Sequence, residues 1–179
     1  MDQAHYFLQH QKELLKEATV IAEEVTSDFF KLSGSHWRRA RYDILTLEAL
    51  RAEEISEHAL AMVAKYDGRH QDRLLQSAVF DFYRVCLQDH NILKTLKCCH
   101  DLRLFPLLLY IVTHELVHIV RFSQFLALFE TPEEGKQEEE RRVHRLTQQI
   151  LAPLSVRDLP PVIQYYDDKL QGGLQYANL

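Results

Sequence analysis

Residues 110–120 read Tyr-Ile-Val-Thr-His-Glu-Leu-Val-His-Ile-Val and contain the pattern His114-Glu115-x-x-His118. On a helix, positions four apart share a face, about 6 Å apart along the axis. His114 and His118 can then bind one divalent metal ion through two imidazoles. Glu115 sits roughly 100° round the helix from His114, beside such an ion and not on it. A carboxylate next to metal-activated water is the working part of a metalloprotease. The setting favours this chemistry. The pattern interrupts a very apolar stretch, residues 107–129. Two histidines and a carboxylate buried there are costly unless something satisfies them, and a metal does so. The plain alternative is a pair of surface histidines.

A catalytic zinc needs three protein ligands and one open position. The acidic run Glu138-Glu139-Glu140 lies just beyond the apolar stretch and is the natural source of the third. From His118 to Thr131 a helix advances about 20 Å, and from Thr131 to Glu140 about 14 Å, so an antiparallel return brings the run back towards His118. His144 lies four residues after Glu140, on the same face. It can hydrogen-bond a ligand, stabilise an oxyanion or bind the metal itself; a plain surface histidine is an equal alternative. Tyr165 and Tyr166 are further oxyanion candidates, with ordinary packing as the simpler reading. Cys98-Cys99-His100 has the types of a soft metal patch, but no second cysteine pair completes a zinc site.

His-Glu-x-x-His followed by a glutamate on the next helix resembles the zincin metallopeptidases of the glutamate-ligand type. The segment Glu140-x-x-Val143-His144-x-Leu146-Thr147-x-x-Ile150-Leu151-Ala152-Pro153 is also similar to a motif of the ImmA/IrrE group. The likeness covers about forty residues and implies Glu140 as the metal ligand. It implies one zinc per chain on His114, His118 and Glu140, with Glu115 as general base; His144 stands where that motif usually has asparagine, and is an auxiliary catalytic candidate only by its position beside Glu140. The expected substrate is a peptide or protein. A second class keeps its place. Glu115-x-x-His118 is also the carboxylate–histidine spacing of di-iron helical bundles, although only one such pair is present. A third is a non-catalytic, metal-stabilised interaction module, whose mark is a closed four-ligand site with no room for water, His144 being one candidate for the fourth ligand.

The elements that must position these groups read as helices. The fold class expected is mainly α: one domain, residues 1–179, arranged around a central helix bearing the motif. Residues 1–103 form a helical scaffold, 104–153 the metal-binding helices, and 154–179 a C-terminal helix and tail. Apolar residues recur at three and four over 3–32, 42–63 and 71–96. Residues 41–47 also suit a short edge strand, of the kind many zinc peptidases place beside the metal helix. Pro106 fits the first turn of the metal helix, which is expected to run to about residue 129. Thr131 reads as an N-cap with Glu134 three later and Pro132 at the first helical position. A last helix is expected from 158–161 through 170.

Net charge is −5 and pI about 6.0, so no nucleic-acid partner is expected. The longest apolar run, residues 104–112, is too short to span a bilayer, so no membrane partner is expected. The start, Met1-Asp2-Gln3-Ala4-His5, lacks a basic region followed by an apolar one, and three cysteines form no disulfide framework. Both features lead to an expected cytoplasmic location.

Overall fold

The computed structural model describes residues 6–69, 79–130 and 132–172. These form α1 (Gln9–Phe30), α2 (His36–Arg39), β1 (Arg41–Leu45), β2 (Ala61–Arg69), β3 (Val79–Leu87), α3 (Asp89–Cys98), α4 (Leu104–Ser123), α5 (Glu133–Leu151) and α6 (Leu159–Gln171). Two 3₁₀ turns, Leu47–Ala49 and Ala52–Glu54, connect β1 to β2. The fold is mainly α-helical, with one small sheet.

Helix α4 carries the motif and is apolar on all sides, so it must be enclosed. Every residue of 106–121 is buried. Its neighbours are α1, α5, α6 and the strands β2 and β3. By length and composition α4 could cross a bilayer, but its surface is taken up by the protein itself. Pro106 sits in its first turn, where a missing N–H leaves no hydrogen bond unmade. Helix α1 lies along α4 and buries Leu15, Ala18, Ala22 and Thr26, spaced three or four apart. The two alanines have no exposed surface, which lets the helices approach closely.

The sheet order is β1-β3-β2. Strand β1 runs parallel to β3, with Arg41 beside Phe82 and Leu45 beside Cys86. Strand β2 runs antiparallel, with Ala61 opposite Leu87. Tyr83, Val85 and Leu87 alternate along β3 and are fully buried. Arg84, between them, forms ion pairs with Asp43 of β1 at 2.9 Å and Glu54 at 3.2 Å. The loops are pinned by two buried side chains at the end of β3. Asp89 accepts the N–H of Phe7 at 2.8 Å and of Leu47 at 3.1 Å. Gln88 accepts the N–H of Ser56 at 3.0 Å and donates to the carbonyl of Glu54 at 2.8 Å.

Three helical expectations are corrected. Residues 42–63 form β1, the two turns and the start of β2, so the strand alternative at 41–47 holds in place of the helix. Residues 79–87 form β3, and only 89–98 of the expected third helix is helical; 70–78 lie outside the described residues. In both stretches the apolar residues satisfy a period of two as well as 3.6. Pairing with β3 and burial against α4 decided between them. The third correction concerns the end of α4. It stops at Ser123, because Phe125 adopts φ 56° and the N–H of Leu126 bonds back to the carbonyl of Arg121 at 2.8 Å. This is a Schellman closure with phenylalanine where glycine is usual. Thr131 lies outside the described residues, and Pro132 stands immediately before α5. Helix α6 starts with Pro160 and Pro161 in its first turn.

Candidate metal centre

His114 and His118 project from one face of α4, and α5 returns beside it to bring in Glu140. The three form a group able to hold a metal ion. His114 Nε2 and His118 Nε2 are 3.2 Å apart. Glu140 Oε2 is 3.2 Å from His114 Nε2, and Oε1 is 3.2 Å from His118 Nε2. Two ligands of one tetrahedral zinc stand about 3.3–3.6 Å apart, given metal–ligand bonds of about 2.0–2.2 Å. The donor set therefore fits a single ion. Hydrogen bonds alone fit poorly. Each histidine needs an Nε2–H to satisfy Glu140, and two such hydrogens would then face one another.

The neighbouring glutamates have other work. Glu139 forms an ion pair with the buried guanidinium of Arg121, whose Nη2 meets Glu139 Oε2 at 2.9 Å and the carbonyl of Leu126 at 3.2 Å. Arg121 lies three residues after His118, so this pair fixes α5 against α4 one position from Glu140. Glu138 is exposed, with Arg141 and Arg145 each 3.9 Å away.

Aromatic rings orient the two imidazoles. Tyr110 and Tyr166 stack near His114, with centroids at 5.9 and 6.4 Å, and on each other at 4.1 Å. Phe122 stacks near His118 at 5.7 Å. Both Nδ1 atoms are buried without a hydrogen-bond partner among the described residues, where packing sets these rings as an outer hydrogen bond usually does.

His144 is buried beside the group but faces elsewhere. Its Nδ1 meets the hydroxyl of Tyr110, and its Nε2 meets Asp167 Oδ1 at 2.7 Å. Gln148 donates to the same carboxylate oxygen at 3.0 Å. With Asp167 taking the Nε2–H, Nδ1 is left to accept the phenol proton. The chain Tyr110–His144–Asp167 thus joins α4, α5 and α6. Tyr166 lies against the group and Tyr165 does not. Tyr165 lines a surface groove of about 270 Å³ with Cys98 and Cys99, under the ammonium of Lys169. Cys98 is exposed, and neither cysteine joins the metal-ligating group. Sequence reasoning passed over Tyr110, Arg121, Gln148 and Asp167. Three of them carried a signal: Tyr110 is four before His114, Arg121 three after His118, and Gln148 four after His144.

Electrostatics separate the roles. Burial pushes the Glu115 carboxyl up to about 8; Glu140 adds to this and His118 opposes it. One buried oxygen of Glu115 has no hydrogen-bond partner among the described residues. Burial alone would raise Glu140, but His118 and His114 hold it well below the ordinary carboxylate range. Burial lowers His114. It would lower His118 too, but the carboxylates of Glu140, Glu115 and Glu139 together outweigh it and raise that ring.

No family model, no curated protein and no solved structure matches this chain.

Proposed function

We propose that the protein is a single-zinc hydrolase of peptide or other amide bonds, with His114, His118 and Glu140 as ligands and Glu115 as general base. The observation that carries this reading is the convergence of two imidazole nitrogens and both oxygens of one carboxylate, neighbours at 3.2 Å. Bound there, zinc would supply Lewis-acid polarisation of a carbonyl and a more acidic water. Glu115, buried with one oxygen unpartnered among the described residues, would hold the proton moved from water to the leaving amine. Among the described residues three side chains converge, and both ring nitrogens of His144 are engaged by Tyr110 and Asp167 instead. That favours an open, catalytic position over a closed structural site. Among the described residues only one metal-ligating group comes together, which argues against a di-iron centre.

Glu115→Gln tests the assignment. The variant keeps the side chain's shape, so the zinc-loaded protein should retain its metal. Hydrolysis of a fluorogenic peptide pool should fall by roughly 10²–10⁴, the usual loss for a general base. Unchanged hydrolysis, or loss of metal from the variant, would contradict the role given to Glu115.

A further inference from the structure

Directly after the metal helix, the chain exposes an apolar surface. Phe125 is 87% exposed, Leu126 53%, Leu128 71% and Phe129 39%. Two observations set this segment apart from scattered surface apolar residues. Phe125 holds φ 56°, a conformation that disfavours a large side chain and is normally given to glycine. The strain and the exposure both cost stability, and almost none of its surface is covered in the folded chain. An aromatic kept at such a position points to use by something outside the chain. The second observation is continuity with the metal centre. Phe129 packs edge-on against Phe122 at 5.3 Å, and Phe122 stacks near His118 at 5.7 Å. Arg121 holds the segment in place through the carbonyl of Leu126.

Charge narrows the occupant. Over residues 130–138 the chain carries Glu130, Glu133, Glu134 and Glu138 against a single Lys136. All four glutamates are exposed. An anionic lipid surface would be repelled by this rim, whereas a basic segment would be attracted.

We infer that residues 125–129 and the acidic start of α5 form a docking surface for a polypeptide segment that is both apolar and basic, delivering it to the metal centre. The inference rests on the hydrolase reading only for the delivery; binding itself requires no metal.

The test is fluorescence anisotropy with a short labelled peptide of alternating leucine and arginine, on the full chain with and without zinc. An acidic leucine–glutamate peptide and phosphatidylcholine–phosphatidylserine vesicles serve as the competing probes. The wild-type chain should bind the basic peptide saturably in both metal states and prefer it to the acidic one. Phe125→Gly should weaken binding roughly tenfold to hundredfold, as loss of an aromatic anchor usually does. It should leave zinc stoichiometry unchanged and raise the unfolding midpoint, because glycine relieves the strained backbone. Glu133→Lys with Glu134→Lys should weaken the basic peptide selectively. Equal binding by wild type and Phe125→Gly would overturn the inference. So would preference for the acidic peptide, binding to vesicles alone, or self-association that Phe125→Gly abolishes while no peptide binds. Peptide binding without zinc binding would retain the docking surface and remove the hydrolase; zinc-dependent hydrolysis without any effect of Phe125→Gly would do the reverse.

Discussion

Glu139 and Glu140 show how strongly one position along a helix decides a side chain's work. Three consecutive glutamates are equivalent in composition, and the sequence alone leaves all three able to reach the histidines. The structure gives Glu140 to the imidazoles, Glu139 to Arg121 and Glu138 to solvent. Glu138 and Glu139 are therefore not equally dispensable. Glu139→Ala leaves the buried Arg121 with the Leu126 carbonyl as its one remaining partner among the described residues. It should cost about 3–5 kcal/mol of stability, the penalty for removing one partner of a buried ion pair. Glu138→Ala should stay within about 0.5 kcal/mol of wild type. Urea unfolding of both variants checks this, and equal stabilities would refute the role given to the Arg121 pair. The histidine pair was legible because i,i+4 spacing is a one-dimensional signal. The partner of Arg121 was not, because it depends on the register of two helices, which no spacing within α4 encodes.

At the level of elements, helices with a single dominant period were legible: α1, α4, α5 and α6. Strands β2 and β3 were not, since Tyr83, Val85 and Leu87 alternate within a stretch that also satisfies helical spacing. The pairing partners of β3 come from residues 41–69, a relation between distant segments that local pattern does not carry. The same holds for the join between α4, α5 and α6. Tyr110 contributes to it twice, with a hydroxyl on His144 and a ring stacked among His114 and Tyr166. These contributions can be separated. Tyr110→Phe keeps the ring and strips His144 Nδ1 of its partner, so stability should fall by about 1–3 kcal/mol while zinc content stays at the wild-type level. Tyr110→Ala removes the ring that orients His114 and should lower zinc content as well. Denaturant midpoints and metal analysis on both variants provide the check; zinc loss by Tyr110→Phe equal to that by Tyr110→Ala would show that the hydroxyl, and not the ring, supports the centre.

For the whole molecule, the small sheet is tied to its surroundings by charge as well as by packing. Burial alone would raise the Glu54 carboxyl, but the Arg51 N–H, Tyr66 and Arg84 together hold it below its ordinary value. A carboxylate with a depressed folded pKa contributes stability that is complete above its unfolded pKa, about 4.3. That contribution is lost as the pH falls through the lower folded value. Glu54→Gln should therefore be less stable than wild type at neutral pH, and the gap should close progressively below about pH 4. Thermal unfolding of both proteins across pH 3–7 measures it; a gap that does not change with pH would place the contribution of Glu54 in shape and not in charge.

The central claim is that one metal ion is held by His114, His118 and Glu140. Calorimetric titration of metal-stripped protein with zinc tests it most directly, using wild type, Glu140→Ala and Glu138→Ala side by side. Wild type and Glu138→Ala should each take up one zinc per chain with the same affinity, and Glu140→Ala should bind at least about tenfold more weakly. No saturable binding by wild type, or equal affinities for wild type and Glu140→Ala, would contradict the claim.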